Sequence, residues 1–192
     1  MTGYILTGGY SFRFGRNKAL FPLHGQPMVL HVAKALQALV GPVTLVGTPE
    51  KYGQLELPAI PDRVADAGPL GGIVTALEHS RSLWALIVAC DMPRLATAPL
   101  AKLVDRALHS GAQAIVPQTP DGRLQPLCAI YSKTALGALS DALDGGTYKL
   151  SDAFAGLRLE VLTVDDPEPF TNVNRLSDLE SLDEWQSAVE QL

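Results

Sequence analysis

The sequence predicts an α/β fold of three layers, with a mostly parallel sheet between two layers of helices. Short, strongly apolar runs alternate with longer segments whose apolar residues recur at helical spacing, the pattern of strands joined by crossover helices. The chain has 192 residues, enough for one domain that buries a sizeable core without metal or disulfide staples. Its 47% hydrophobic and 18% charged residues describe a compact globular protein rather than a disordered tail.

The first buried strand ends at Tyr4–Leu6, and a glycine-rich polar loop follows it. Ala19–Leu23 reads as a short extended piece turned at His24-Gly25. Met28–Leu39 carries Val29, Val32, Ala33, Leu36 and Leu39 at helical spacing and is stopped by Gly41-Pro42. Val43–Val46 reads as the second strand and Ala59-Ile60 as a short third. Gly68–Gly72 opens a helix that runs to His79, and Trp84–Ala89 is the fourth strand. Ala98–His109 is amphipathic and stops at Gly111. Ala114–Pro117 and Leu127–Tyr131 read as further strands, Lys133–Leu143 as a helix and Leu159–Val164 as the last strand. Ser177 is expected to cap a final helix, with Glu180 three residues on completing a capping box. A series of strands alternating with helices implies parallel pairing and a sheet covered on both faces.

Composition narrows the function. Net charge is −5, which argues against a general nucleic-acid binder. Cys90 and Cys128 sit in apolar runs without CxxC spacing, as expected of buried reduced thiols. No basic region precedes the short apolar run at the start, and no apolar stretch reaches the roughly 18 residues that span a bilayer. The expectation is a cytoplasmic protein with no membrane partner. His24, His31, His79 and His109 have no zinc-site spacing, and none is expected to act as an acid or base.

In open α/β sheets, ligands lie beyond the carboxyl ends of the strands. Four segments there carry unusual chemistry. The first covers residues 6–20. Gly8 and Gly9 follow a strand directly, where missing side chains let backbone N–H groups approach a phosphate or a base. Arg13, Arg16 and Lys18 crowd into six residues of an otherwise acidic chain. They read either as a solvated loop or as a pocket for a small polyanion. The spacing is neither GxGxxG nor a P-loop.

The pattern GGxSxRxGxxKAL after an opening strand resembles the signature loop of nucleotidyltransferases that include the molybdenum cofactor guanylyltransferases (MobA). Phe14 stands where methionine is usual in that family, and Thr7 where alanine is common. The resemblance implies a single-domain, Rossmann-like nucleotidyltransferase fold over residues 1–192. It also implies that Leu6, Thr7, Gly8, Gly9 and Lys18 bind the nucleotide.

The second segment is Cys90-Asp91-Met92-Pro93, straight after a strand. A carboxylate there either caps the next helix or holds Mg²⁺, which takes few protein oxygens and fills its shell with water and phosphate. The resemblance, to the family's CDxP, implies that Asp91 is the metal ligand and also contacts the nucleotide. The third is Asp62 with Gly68-Pro69-Leu70-Gly71-Gly72. Asp62 reads as an exposed turn residue, or, by resemblance, as an aspartate that contacts guanine or ribose. The family often has asparagine after the second strand; this chain has Val46-Gly47-Thr48, and no contact is assigned there. The fourth is Phe170-Thr171-Asn172-Val173-Asn174. Asn172 and Asn174 point the same way if the backbone is extended. The segment is either a helix entry or, by resemblance to FxNxN, a place where both bind the acceptor or one helps hold the metal. Gln125–Ala129 resembles a family segment beside the acceptor pocket.

The resemblance implies that a terminal phosphate of molybdopterin attacks the α-phosphorus of GTP and releases pyrophosphate. Asp91 would hold Mg²⁺, and Arg13 and Lys18 would stabilise charge on the leaving group. The implied substrates are GTP and molybdopterin, with transient contact with proteins of cofactor biosynthesis and none with nucleic acid. Guanine-using relatives read LxGG where cytosine-using ones read LxAG, and this chain has Leu6-Thr7-Gly8-Gly9. Gly8 either leaves room for a purine or is needed for a positive φ. The alternatives are a CTP-using or sugar-phosphate nucleotidyltransferase and a non-catalytic nucleotide-binding homologue.

Overall fold

A computed structural model describes residues 1–8, 17–64, 67–175 and 177–178. Its elements in chain order are β1 (Thr2–Leu6), the two-residue strands β2 (Pro22–Leu23) and β3 (Gln26–Pro27), α1 (Met28–Val40), β4 (Val43–Gly47) and β5 (Ala59–Pro61). They continue with α2 (Gly68–His79), β6 (Trp84–Ala89), α3 (Thr97–Leu108), β7 (Ala114–Gln118), β8 (Cys128–Ser132), α4 (Leu136–Asp144), α5 (Leu150–Ala153) and β9 (Leu159–Thr163). No helix among the described residues is long and apolar enough to cross a membrane.

Seven strands form one sheet in the order β5-β4-β1-β6-β8-β7-β9. β4 and β6 flank β1 in parallel, β5 continues parallel to β4, and β9 parallel to β7. All residues of β4 and β6 are buried, as strands covered on both faces must be. Alternate side chains serve opposite layers. Ile5, Leu45, Leu86 and Val88 pack with α1 and α3, while Tyr4, Leu6, Val46, Ala85 and Ile87 pack with α2 and α4. The expected three layers and mostly parallel sheet are therefore present.

Three details differ from the expected elements. β8 runs antiparallel to both β6 and β7. Its connection from β7 spans only residues 119–127, shorter than a parallel crossover requires. Ala19 and Leu20 are not extended: Lys18–Leu20 is a 3₁₀ turn, N-capped by Asn17, and only Pro22–Leu23 pairs, with Gln26–Pro27. Lys133–Ala135 forms a separate 3₁₀ turn before α4. Glu180 lies outside the described residues. Next to Ser177, the Asp178 carboxylate accepts the amide protons of Asn174 at 2.7 Å and Arg175 at 2.9 Å.

The chain leaves β1 through α1 to β4 and β5 on one side, then crosses through α2 to β6 on the other. Strand order thus reverses between β1 and β6. The carboxyl ends of these two strands border the crevice where open α/β sheets take ligands.

Candidate functional site

Two clusters of side chains meet at this crevice. The first is built on the end of β1. The N–H and the hydroxyl of Thr7 both donate to the carbonyl of Val46, at 2.9 Å each. Gly47 must lack a Cβ for this, since one would lie 2.5 Å from Thr7 Oγ1. Tyr52, buried in the turn after β4, donates its hydroxyl to the Thr7 carbonyl at 3.2 Å. Gly8 follows, exposed, and faces Asp62: a Cβ on Gly8 would lie 3.0 Å from Asp62 Oδ2. Gly8 is not among the glycines with positive φ, so left-handed backbone is not why glycine stands there.

Asp62 extends from the end of β5 toward the same place, and burial raises its carboxyl above the ordinary value. Gly72 of α2 also lies close, 3.6 Å from Asp62 Oδ1 measured from the position of a Cβ, which would press on Leu6 at 3.0 Å. The GPLGG segment therefore brings a helix start against β1 and Asp62, with Gly68 at φ +64 making the turn into α2. Leu6 itself is buried, and its carbonyl accepts the N–H of Cys90 at 3.1 Å, which joins the end of β1 to the end of β6.

The second cluster is built on β6. Cys90 is buried and its thiol is pushed up to about 12 by desolvation, as suits an inert side chain. Asp91 comes next. Its Oδ2 accepts from Lys18 Nζ at 2.9 Å, and Lys18 also donates to Asn174 Oδ1 at 3.1 Å. Asp91 Oδ1 is buried and has no hydrogen-bond partner among the described residues. Asn17 aims Lys18 by accepting the Ala19 N–H at 3.1 Å and so fixing the 3₁₀ turn that carries it.

Asn174 arrives because Val173 is buried against Leu23 and Met28, with its N–H donating to the Asp91 carbonyl at 2.9 Å. Asn172 and Asn174 are both exposed on either side of Val173, as an alternating backbone would have them, but it is Asn174 that bonds Lys18. Arg94 adds a further tie, donating to Glu168 Oε1 at 3.0 Å and so linking the loop after β6 to the segment before Asn172. The Leu127 carbonyl accepts the Ala89 N–H at 2.7 Å, which sets the 125–129 segment beside β6.

Lys18, Asp91 and Asn174 thus converge, and Thr7, Gly8 and Asp62 form the neighbouring cluster. Gly9 and Arg13, with Arg16, lie outside the described residues. Tyr52, Asn17, Arg94 and Glu168 were not singled out from the sequence. Asn17 had a readable signal, a capping residue two before Ala19; Tyr52 had none, since a tyrosine in a polar turn gives no sign of what its hydroxyl reaches.

Among the described residues no three acidic, histidine or cysteine side chains gather as a metal cage. A divalent cation that takes one protein carboxylate and completes its shell from phosphate and water does fit, because Asp91 Oδ1 has no hydrogen-bond partner among the described residues.

Residues 3–160 match the family model of the MobA-like NTP transferase domain. A probable molybdenum cofactor guanylyltransferase of Flavobacterium johnsoniae is 33% identical over 184 residues, covering 95% of this chain and 96% of the relative. A molybdenum cofactor guanylyltransferase of Cupriavidus taiwanensis is 36% identical over 187 residues, covering 93% and 94%. The crystal structure of molybdopterin-guanine dinucleotide biosynthesis protein A from Archaeoglobus fulgidus superposes with a TM-score of 0.85 at 24% identity, over 98% of this chain and all of that one. It has the same fold.

Proposed function

The chain belongs to the MobA-like NTP transferase family, and from that premise we propose that it is a molybdenum cofactor guanylyltransferase, transferring GMP from GTP to molybdopterin with release of pyrophosphate. The observation that carries this reading is the meeting of Lys18, Asp91 and Asn174 at the point where strand order reverses.

A phosphate oxygen of molybdopterin forms a bond to the α-phosphorus of GTP, and the bond from that phosphorus to the bridging oxygen of the β-phosphate breaks. The electron pair leaves with pyrophosphate. An ionised phosphate needs no side-chain base, so the protein's part is to align the reactants and compensate charge. Lys18, with Arg13, would receive the charge of the leaving pyrophosphate. Leu6, Thr7, Gly8, Gly9 and Asp62 would hold the nucleoside, with the Asp62 carboxylate accepting from guanine N1 and N2 or from ribose. Asn172 and Asn174 would meet the acceptor. Asp91, through its unused Oδ1, is the residue that would hold Mg²⁺. When bound, the ion would supply Lewis-acid compensation for the negative charge of the reacting phosphates.

On the same reading all 192 residues form one nucleotidyltransferase domain, acting in the cytoplasm with transient contact with cofactor-biosynthesis proteins. Pyrophosphate release measured with each of the four nucleoside triphosphates, with and without molybdopterin and Mg²⁺, tests the proposal. Release with GTP that depends on both molybdopterin and Mg²⁺ is expected; release with CTP alone would overturn it.

A further inference from the structure

Lys18 occupies Asp91 in the protein alone. The ammonium lies 2.9 Å from Oδ2, and the two side chains are only 13% and 19% exposed. Asn174 Oδ1 is a second anchor, 3.1 Å from the same nitrogen. The other oxygen of Asp91 is buried and has no hydrogen-bond partner among the described residues. A divalent cation on Asp91 would therefore sit within a few ångströms of a positive charge already paired with that carboxylate.

We infer that Lys18 acts as the resident counter-ion of Asp91 and closes it to free divalent metal, so that the site admits metal together with a triphosphate rather than metal alone. The inference rests on the reading of Asp91 as the metal-holding residue. Its physical basis is competition. A free cation must shed water, which Mg²⁺ does reluctantly, and on Oδ1 must sit against the ammonium paired with the same carboxylate, weakening that partly desolvated pair. It brings nothing that compensates Lys18 for the loss. A triphosphate does, since its oxygens offer the ammonium new anionic partners. Lysine suits this exchange: it is a compact charge on a flexible stem, able to swing between Asp91 and a phosphate while Asn174 still accepts one of its three protons. Linkage then requires reciprocity, so metal and nucleotide strengthen each other's binding.

The test reads metal directly, without turnover. Mn²⁺ is titrated into the full chain without nucleotide, and the free ion is followed by its electron paramagnetic resonance signal. Wild type should bind weakly. Lys18→Met should tighten Mn²⁺ binding by about tenfold, within the usual range of coupling between two sites. Lys18→Gln serves as a second neutral variant, and Lys18→Arg, which keeps the charge, should bind as weakly as wild type. Thermal melts establish that each variant is folded. Unchanged or weaker binding in both neutral variants overturns the inference, as does tightening in Lys18→Arg equal to that in Lys18→Met. The double variant Lys18→Met/Asp91→Asn distinguishes the role of Lys18 from the assignment of metal to Asp91: it should lose the gained affinity. Should it keep that affinity, the assignment of metal to Asp91 fails, not merely the role of Lys18.

Discussion

The hydroxyl of Tyr52 donates to the main-chain oxygen of Thr7 at 3.2 Å, across 45 residues of sequence. Burial raises the phenol's pKa, so it stays protonated and a donor throughout the physiological range. Together with the two bonds to Val46, it leaves Thr7 no freedom at N, O or Oγ1. Thr7 is the last residue before Gly8, so this restraint sets where the glycine-rich loop begins.

Tyr52→Phe tests that role. The ring still fills its buried place, and the loss of one hydrogen bond should cost about 1 kcal/mol of stability, or roughly 2–4 °C in Tm for a chain of this size. The KM for GTP should rise severalfold with kcat little changed. Steady-state kinetics beside thermal melts decide: a lower Tm with an unaltered KM would make the bond structural only.

Asp91→Asn should abolish turnover while the fold survives. The substitution keeps shape but neutralises the carboxylate that pairs with Lys18 and whose Oδ1 has no hydrogen-bond partner among the described residues. A loss on the order of 10²-fold or more in kcat is expected, the scale of removing a main electrostatic stabiliser. Near-wild-type activity at saturating GTP and ordinary Mg²⁺ would rule the role out.

The layers of the fold were legible because covered parallel strands must be apolar on both faces; the runs at Val43–Val46 and Trp84–Ala89 carry that signature directly. The places of Asp91 and Gly8 at the carboxyl ends of β6 and β1 were legible for a related reason, since the apolar runs fix where those strands end. The antiparallel course of β8 was not. Its residues are as apolar as those of a parallel strand, and only the short link 119–127 dictates its direction. The pairing of Lys18 with Asp91 joins positions 73 apart, and Tyr52 with Thr7 45 apart. No local pattern encodes either, because both depend on strand order.

Lys133 supplies a prediction remote from the site. Its ammonium donates to the carbonyls of Leu77 and Glu78, in the last turn of α2, and of Ser80 just beyond it; carbonyls in a last helical turn have no partner within the helix. A cation there also suits the helix dipole. Lys133→Met should cost about 1.5–3 kcal/mol, the range for hydrogen bonds to a charged group, and leave kcat/KM at 25 °C near wild type. Chemical denaturation and kinetics on the same preparation check it, and an equal loss of activity at that temperature would mean α2 transmits more than support.

Asp62 links the site to pH. Its folded pKa is raised above 3.8 by burial, so between that value and the folded pKa the native state binds more protons than the unfolded chain. Stability from this group therefore falls as pH rises through the window, and the carboxylate is a cost at neutral pH. Asp62→Asn should raise Tm at pH 7 while lowering kcat/KM for GTP. The gain in Tm should vanish as pH drops below 3.8. A Tm difference that does not change with pH would mean that ionisation is not its cause.

Gly8→Ala is expected to harm the use of GTP more than that of CTP. Gly8 does not have a positive φ, so alanine is not excluded by backbone conformation. What its methyl would meet is Asp62 Oδ2, 3.0 Å from the Cβ position, and either the carboxylate or the loop must give. On the proposed function that carboxylate reads the guanine edge or the ribose. On the same proposal, a purine would need more of the space beside Gly8 than a pyrimidine would. One misfitted methyl-sized group typically costs ~1–3 kcal/mol, so kcat/KM for GTP should fall by roughly tenfold to a hundredfold. The same substitution in an Asp62→Ala background should cost far less, because the residue it displaces is already gone and effects of touching residues do not add. Measuring kcat/KM for both nucleotides in the wild type, the two single variants and the double variant decides the matter. Equal losses for GTP and CTP would place the effect in the loop rather than in base recognition, and a wild-type preference for CTP would sink the guanylyltransferase reading itself.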